Sequence, residues 1–345
     1  LYYPFFDWLR ISLAITVALV HGGIGFWPHL GNLAVQVFFA LSGWLIGGIL
    51  LNSKYGELPR FFFNRVTRIW VPYTVAIVLL VCASLLKEQI TLKWLEFVFY
   101  KVTFVYNLFG PPQLATFKTE MPLDGTGNHF WTICAEEQFY LFAPLLILVL
   151  PARFGKSTLL WGMISFFAIS YDYYGAIVLG VWAAVIKQNI SNRYFDKNFR
   201  PFLLGIIFFA AALMYIYDSW YVTIAPIFSI SLVLFLARLG NRSKWGQFWG
   251  GVSYPFYLNH WIGVFFAHAV LDPFGLRESE ITIVVALLTN LIVASILYML
   301  VDQRIIKYRS QWFTSCRGNI ASITAYSLLF IGLIGGVLFR VFLVI

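Results

Sequence analysis

About eleven apolar runs, most of them long enough to cross a bilayer as a helix, dominate this chain. They lie near 5–27, 32–52, 69–87, 130–151, 156–172, 173–188, 201–218, 220–237, 250–272, 280–302 and 319–343. Alternating ten-residue segments of the barrel type are missing, so the backbone polar groups of these runs have to be satisfied within helices. Composition agrees: 60% of residues are hydrophobic and 11% charged, against about 25% charged in soluble domains. The expectation is an all-α multi-pass membrane protein of about 10–11 transmembrane helices, forming a single membrane domain over residues 1–345 with no soluble domain.

Two stretches read differently. Lys93, Glu96 and Lys101 interrupt residues 91–109, which predicts an interfacial helix. Pro111, Pro112, Pro122, Gly125 and Gly127 mark a loop in the second half of the segment Lys87 to His129. Cys82, Cys134 and Cys316 are far apart, without C-x-x-C or His-rich spacing, and indicate neither a disulfide framework nor a metal site. The chain opens at Leu1, and Asp7 and Arg10 in the first run argue against a cleavable signal peptide.

Lys and Arg gather after every second run: Lys54, Arg60, Arg65 and Arg68; Arg153 and Lys156; Lys187, Arg193, Lys197 and Arg200; Arg238, Arg242 and Lys244; Arg304, Lys307, Arg309 and Arg317. Under the positive-inside rule this predicts a cytoplasmic N-terminus and an external C-terminus. The net charge of +9 then reports topology and contact with lipid headgroups, and nucleic acid is not needed to explain it.

Three constellations could carry chemistry. The first run holds Asp7, Arg10 and His21, although a charged group at a helix centre costs roughly 2.5–3.5 kcal/mol. At 100° per residue, Arg10 and His21 fall within about 20° of each other and Asp7 within about 60° of Arg10, so one stripe carries all three. The helical rise separates Arg10 from His21 by about 16 Å, with His21 in the outer half. The bland alternative is an interfacial Asp7–Arg10 pair and a structural histidine. The second constellation is Arg60, Arg65 and Arg68 at the entry of the third run, where Arg65 and Arg68 share a helix face and could hold phosphate oxygens. Setting topology is the competing explanation. The third is His129, Glu136, Glu137 and Tyr140 around the fourth run. Its adjacent carboxylates point about 100° apart, so one of the two glutamates faces a given cavity, and His129 shares a face with Glu136 if the helix begins that early. A carboxylate near an imidazole can orient it for base or nucleophilic work. His260 beside Asn259 is a further candidate for the same cavity lining as Asp7, His129 and Tyr140. Gly43-x-x-x-Gly47 reads as a close-packing motif rather than as support for a Ser42 nucleophile.

In this order and spacing, the motifs resemble those of the acyltransferase-3 family of multi-pass membrane acyltransferases. Phe6-Asp-Trp-Leu-Arg10 followed by His21 resembles its Arg-x10-His signature, and Val37-Phe-Phe-Ala-Leu-Ser-Gly-Trp-Leu-Ile46 its second-span motif. Arg65-Val-Thr-Arg68 matches R-x-x-R, and Trp131-Thr-Ile-Cys-Ala-Glu-Glu-Gln-Phe-Tyr140 is similar to W-S-L-x-x-E-E-Q-F-Y, with Thr132 and Ile133 in place of Ser-Leu. Ser253-Tyr-Pro-Phe-Tyr-Leu-Asn-His260 is similar to S-Y-x-x-Y-L-x-H, and the run 319–343 looks additional to the family's spans.

The resemblance implies transfer of an acyl group, acetyl foremost, from cytoplasmic acetyl-CoA to a hydroxyl of a cell-surface polysaccharide or lipid-linked glycan, in a bacterial cytoplasmic (inner) membrane. Acyl-CoA is then a donor substrate, and no tightly bound cofactor is expected. Arg65 and Arg68 would hold the CoA phosphates, with Arg10 guiding the pantetheine arm. His21 would act as base or acyl acceptor, with Glu136 or Glu137 orienting it. The competing class is a secondary transporter or lipid flippase that uses the same Arg, His and Glu set as a proton or anion path.

Overall fold

The apolar runs fold as helices, and no strand occurs among the described residues. The computed structural model describes residues 2–342 apart from 112–113, 172–173, 191–193 and 195–198. Pro112, Arg193 and Lys197 therefore lie outside the described residues, as does the side chain of Arg153. Helices of ten or more residues are α1 (Pro4–His21), α2 (Leu30–Leu51), α3 (Leu58–Leu85), α4 (Leu92–Val102), α5 (Trp131–Pro144), α6 (Thr158–Ser170) and α7 (Gly175–Asn189). They continue with α8 (Phe199–Ile216), α9 (Tyr221–Leu236), α10 (Lys244–Asn259), α11 (Trp261–Leu271), α12 (Glu280–Leu297), α13 (Gln303–Trp312) and α14 (Ser315–Phe342). The π-helical turns Leu145–Val149 and Tyr298–Asp302 extend α5 and α12.

Local chemistry sets many of the ends. Pro4 and Pro59 occupy first turns, where a missing N–H costs nothing. Thr91 caps α4 by accepting the Trp94 N–H at 3.0 Å, and Ser157 caps α6 by accepting that of Leu160 at 3.2 Å. α1 stops at His21 because Gly23 takes a left-handed φ of 86°, which lets Ile24 N–H reach Leu19 O at 2.9 Å and Gly23 N–H reach Val20 O at 3.1 Å. The first run thus closes earlier than its hydropathy implies, and His21 sits at the helix terminus.

This is an integral membrane protein, and among the described residues eight helical segments are long and apolar enough to cross a bilayer. They are Pro4–His21, Leu30–Leu51, Tyr55–Leu85, Asn128–Val149, Phe199–Ile216, Asp218–Leu236, Glu280–Trp312 and Ser315–Val341. The other three expected runs are shorter apolar helices, Thr158–Ser170, Gly175–Asn189 and Trp261–Phe274. At 1.5 Å per residue they fall short of a hydrocarbon core about 30 Å thick. The run 250–272 in particular is divided between α10 and α11 at His260.

Contacts gather into two units, Leu1–Tyr55 with Ala143–Tyr257, and Gly56–Phe142 with Leu258–Ile345. In the first, α2 lies against α7 so closely that a Cβ on Gly43 would come within 1.9 Å of Ile177 O, and one on Gly180 within 2.5 Å of Ala40 O. Gly43 and Gly47 thus serve backbone approach, as the spacing suggests. His29 in this unit stacks on Tyr221 at 4.1 Å and meets Asp218 at 2.8 Å.

In the second unit α3 packs against α14 and α13, and α11 against α12. Gly263 allows the latter approach, and its N–H donates to Asn290 Oδ1 at 2.7 Å. The helix expected at the interface is α4, and its charges turn inward: Glu96 takes Lys93 at 2.9 Å and the Tyr100 hydroxyl at 2.7 Å. Lys101 is 1% exposed and donates to Thr126 O at 3.3 Å.

Candidate active site

In the second unit the entry of α3 faces α5. Arg65 is three residues, nearly one turn, before Arg68, and its guanidinium lies 5.8 Å from the Phe61 ring centre and 5.5 Å from that of Tyr140. Among the described residues no carboxylate forms an ion pair with Arg65 or Arg68, whereas Arg10–Asp7, His29–Asp218, Lys93–Glu96 and Arg277–Asp272 do pair. Topology explains two positive charges here. Arg65 is half-buried and Arg68 exposed, and topology alone does not require the half-buried one to stand without an ion pair.

The adjacent glutamates are separated by their partners. Glu137, 5% exposed, accepts the Trp70 indole N–H through Oε2 at 2.7 Å, while its Oε1 is buried without a hydrogen bond. Arg65 attracts Glu137 electrostatically from beyond ion-pair distance. Glu136 is half-buried and accepts the Tyr140 hydroxyl at 2.9 Å. Tyr140 therefore spans the site, its ring under Arg65 and its hydroxyl on Glu136. Gln138, next in the same motif, braces a loop: its amide donates to Phe104 O and to Asn107 Oδ1, each at 2.8 Å. Phe104 has a positive φ of 58°, which that donation helps hold.

His129 lies on the short 3-10 turn Asn128–Phe130 ahead of α5, so it does not share an α-helical face with Glu136. It accompanies His260 instead, the two buried rings 4.5 Å apart, with His129 Nε2 3.3 Å from Leu258 O. His260 holds the junction between α10 and α11. Two histidines 131 positions apart in sequence are thereby neighbours.

In the first unit Asp7 and Arg10 form the ion pair that the bland alternative for α1 expects, at 3.6 Å. Asp7 also accepts the Tyr2 hydroxyl at 2.5 Å and is buried against Gly250, where a Cβ would lie 2.6 Å from its Oδ1. Asp7 is accordingly a packed anchor for Arg10. His21, the last residue of α1, is exposed.

Sequence reasoning passed over three groups in the second unit. Asp302, 7% exposed, ends the π-helical turn and has Oδ2 buried without a hydrogen bond. Arg309, counted above as a topology charge, is half-buried on α13 and interacts electrostatically with Arg68. A lone aspartate closing an apolar run is a signal that could have found the first. Lys101, on a helix outside the membrane-spanning set, is pushed down to about 7 by burial.

The family described as "Acyltransferase domain" matches residues 3–300, ending ahead of α13 and α14. Relatives include the O-acetyltransferase OatA of Staphylococcus aureus strains NCTC 8325 / PS 47, COL and MRSA252. Each is 27% identical over 217 residues, covering 60% of this chain and 34% of the relative. The chain thus matches about a third of the length of these curated relatives. No solved structure matches it.

Proposed function

We propose that this chain, which belongs to the acyltransferase-3 family and carries its membrane acyltransferase domain, moves an acetyl group from acyl-CoA to a hydroxyl of a cell-surface polysaccharide or lipid-linked glycan. The family match favours this reading over the transporter or flippase. The relatives are named O-acetyltransferases, which supports an oxygen acceptor.

One observation carries the donor half: Arg65 and Arg68 stand together on α3 with no carboxylate in ion-pair range among the described residues. A guanidinium held over aromatic rings, that of Arg65, beside a second arginine on the same helix suits a polyanionic ligand, and the CoA end of a thioester brings several phosphates. Arg10, pre-oriented by Asp7, is proposed for the same substrate's arm.

For the transfer itself the reading assigns His21. In one route its imidazole takes the proton of the acceptor hydroxyl as the oxygen attacks the thioester carbonyl, the C–S bond breaks, and the CoA thiolate leaves and is protonated. In the other the imidazole nitrogen attacks first, releasing CoA and forming an acyl-imidazole that the hydroxyl then cleaves. The membrane is proposed to be a bacterial cytoplasmic membrane, with the donor inside and the acceptor outside.

The test is release of free CoA from acetyl-CoA by the purified chain, with transfer of label to a panel of carbohydrate acceptors. Acceptor-dependent release supports the reading. A folded protein that neither binds acetyl-CoA nor releases CoA with any acceptor overturns it.

A further inference from the structure

The entry of α3 is met by a segment that begins where the family match ends. The π-helical turn Tyr298–Asp302 and α13 both pack on α3, and Phe313 sits 5.6 Å from Phe63 with the Arg60 guanidinium 5.5 Å from its ring centre. This docking brings Arg309 within electrostatic range of both Arg65 and Arg68. Three guanidinium groups gather there. Asp302 senses Arg68 and Glu137 senses Arg65, but neither comes within ion-pair distance.

Such a gathering is unfavourable by itself. Each like-charge neighbour raises the energy of the others, and the half-buried setting of Arg65 and Arg309 weakens screening by solvent there, while Arg68 is exposed. Packing forces between α13 and α3 hold the cations together, while the carboxylate that would neutralise them is either bonded to Trp70 or held out of reach. An arrangement of this kind is complementary to a ligand carrying several negative charges, which relieves all three repulsions at once.

We infer that Arg309 is a third phosphate-binding residue of the acyl-CoA donor site, and that Asp302 is a positioning residue that steers the Arg68 guanidinium toward the same ligand. This rests on the donor reading of Arg65 and Arg68 given above. It goes beyond it in placing part of the donor site on a segment, residues 301–345, that the family match does not include. Arg309 contributes charge to a polyphosphate ligand, so its effect grows with the number of phosphates the ligand carries.

The experiment uses the full chain in phosphatidylcholine nanodiscs, with binding of acetyl-CoA, dephospho-acetyl-CoA and acetyl-pantetheine measured for wild type, R309Q, R309K, D302N and R65Q. The inference expects R309Q to weaken acetyl-CoA binding about tenfold or more, with R309K intermediate and acetyl-pantetheine unaffected. D302N is expected to weaken acetyl-CoA binding less than R309Q and to flatten its dependence on salt. Unliganded melting temperatures near wild type establish that the variants fold. Acetyl-CoA affinity within twofold of wild type in R309Q, alongside clear loss in R65Q, overturns this inference and leaves the donor reading standing. No loss in either variant overturns both. A second series with phosphatidylglycerol in the discs separates the sources of phosphate: an R309Q effect that appears only as altered melting in the anionic lipid assigns Arg309 to headgroups and also overturns the inference.

Discussion

The indole N–H of Trp70 donates to Glu137 Oε2 at 2.7 Å, and the other oxygen of that carboxylate has no hydrogen bond. A neutral donor on α3 thus holds Glu137 beside Arg65 without neutralising the arginine. Replacing Trp70 with Phe strips the buried carboxylate of the indole donor, which should cost about 1–3 kcal/mol of stability. Glu137→Gln keeps an acceptor for the indole and should melt near wild type while losing transfer activity. Full activity in Glu137→Gln would make the residue purely structural.

His21→Ala should lower acyl transfer by about 10²- to 10⁴-fold while acyl-CoA binding persists. His21 closes α1 next to the Gly22–Gly23 turn, so its removal leaves the helix end intact. Turnover within threefold of wild type would remove His21 from the chemistry.

Lysine at both Arg65 and Arg68 keeps the positive charge that orients the membrane spans but loses the planar fork and much of the stacking on Tyr140. Acyl-CoA binding should fall by about tenfold or more, with insertion unchanged. Equal affinity in a correctly inserted double variant would return the pair to a topological role.

Sidedness is tested by cysteines at Thr119 and Gln188, both exposed, after Cys82, Cys134 and Cys316 are replaced. The charge pattern predicts that Thr119→Cys reacts with an impermeant thiol reagent from outside, and Gln188→Cys only after permeabilisation. Labelling of both from one side would break the assigned order of crossings. The reverse pattern would put the arginines on the side without acyl-CoA.

Lys101 offers a pH test. Its folded value of about 7 lies below the ordinary 10.5 because burial disfavours the ammonium form. Below about pH 7 folded and unfolded chains both carry the proton and the burial penalty is full. Between 7 and 10.5 only the unfolded chain keeps it, so stability rises with pH across that window. Lys101→Met should therefore stabilise the protein most below pH 7, on the order of a few kcal/mol, and the gain should shrink toward pH 10.5. Melting curves of the two proteins from pH 6 to 10 read this directly; a gain independent of pH would show that Lys101 is not buried as an ammonium.

Apolar length and helical periodicity are local properties, so the membrane-helix architecture, the Asp7–Arg10 pair and the close packing at Gly43 and Gly47 were all legible in the sequence. Motif order was enough for the family. Partnerships between distant residues were not, because which helix faces which depends on packing that no spacing rule encodes. Adjacent carboxylates point about 100° apart, but only the docking of α3 on α5 gives Glu137 to Trp70 and leaves Glu136 with Tyr140. The meeting of His129 with His260 depends on where α10 stops and on a 3-10 turn ahead of α5, both outside the reach of hydropathy. Arg309 reads in sequence as one more cytoplasmic charge. The packing of α13 on α3 brings it within electrostatic range of Arg65 and Arg68, since contact between Phe63 and Phe313 holds the two helices where charge repulsion alone would part them.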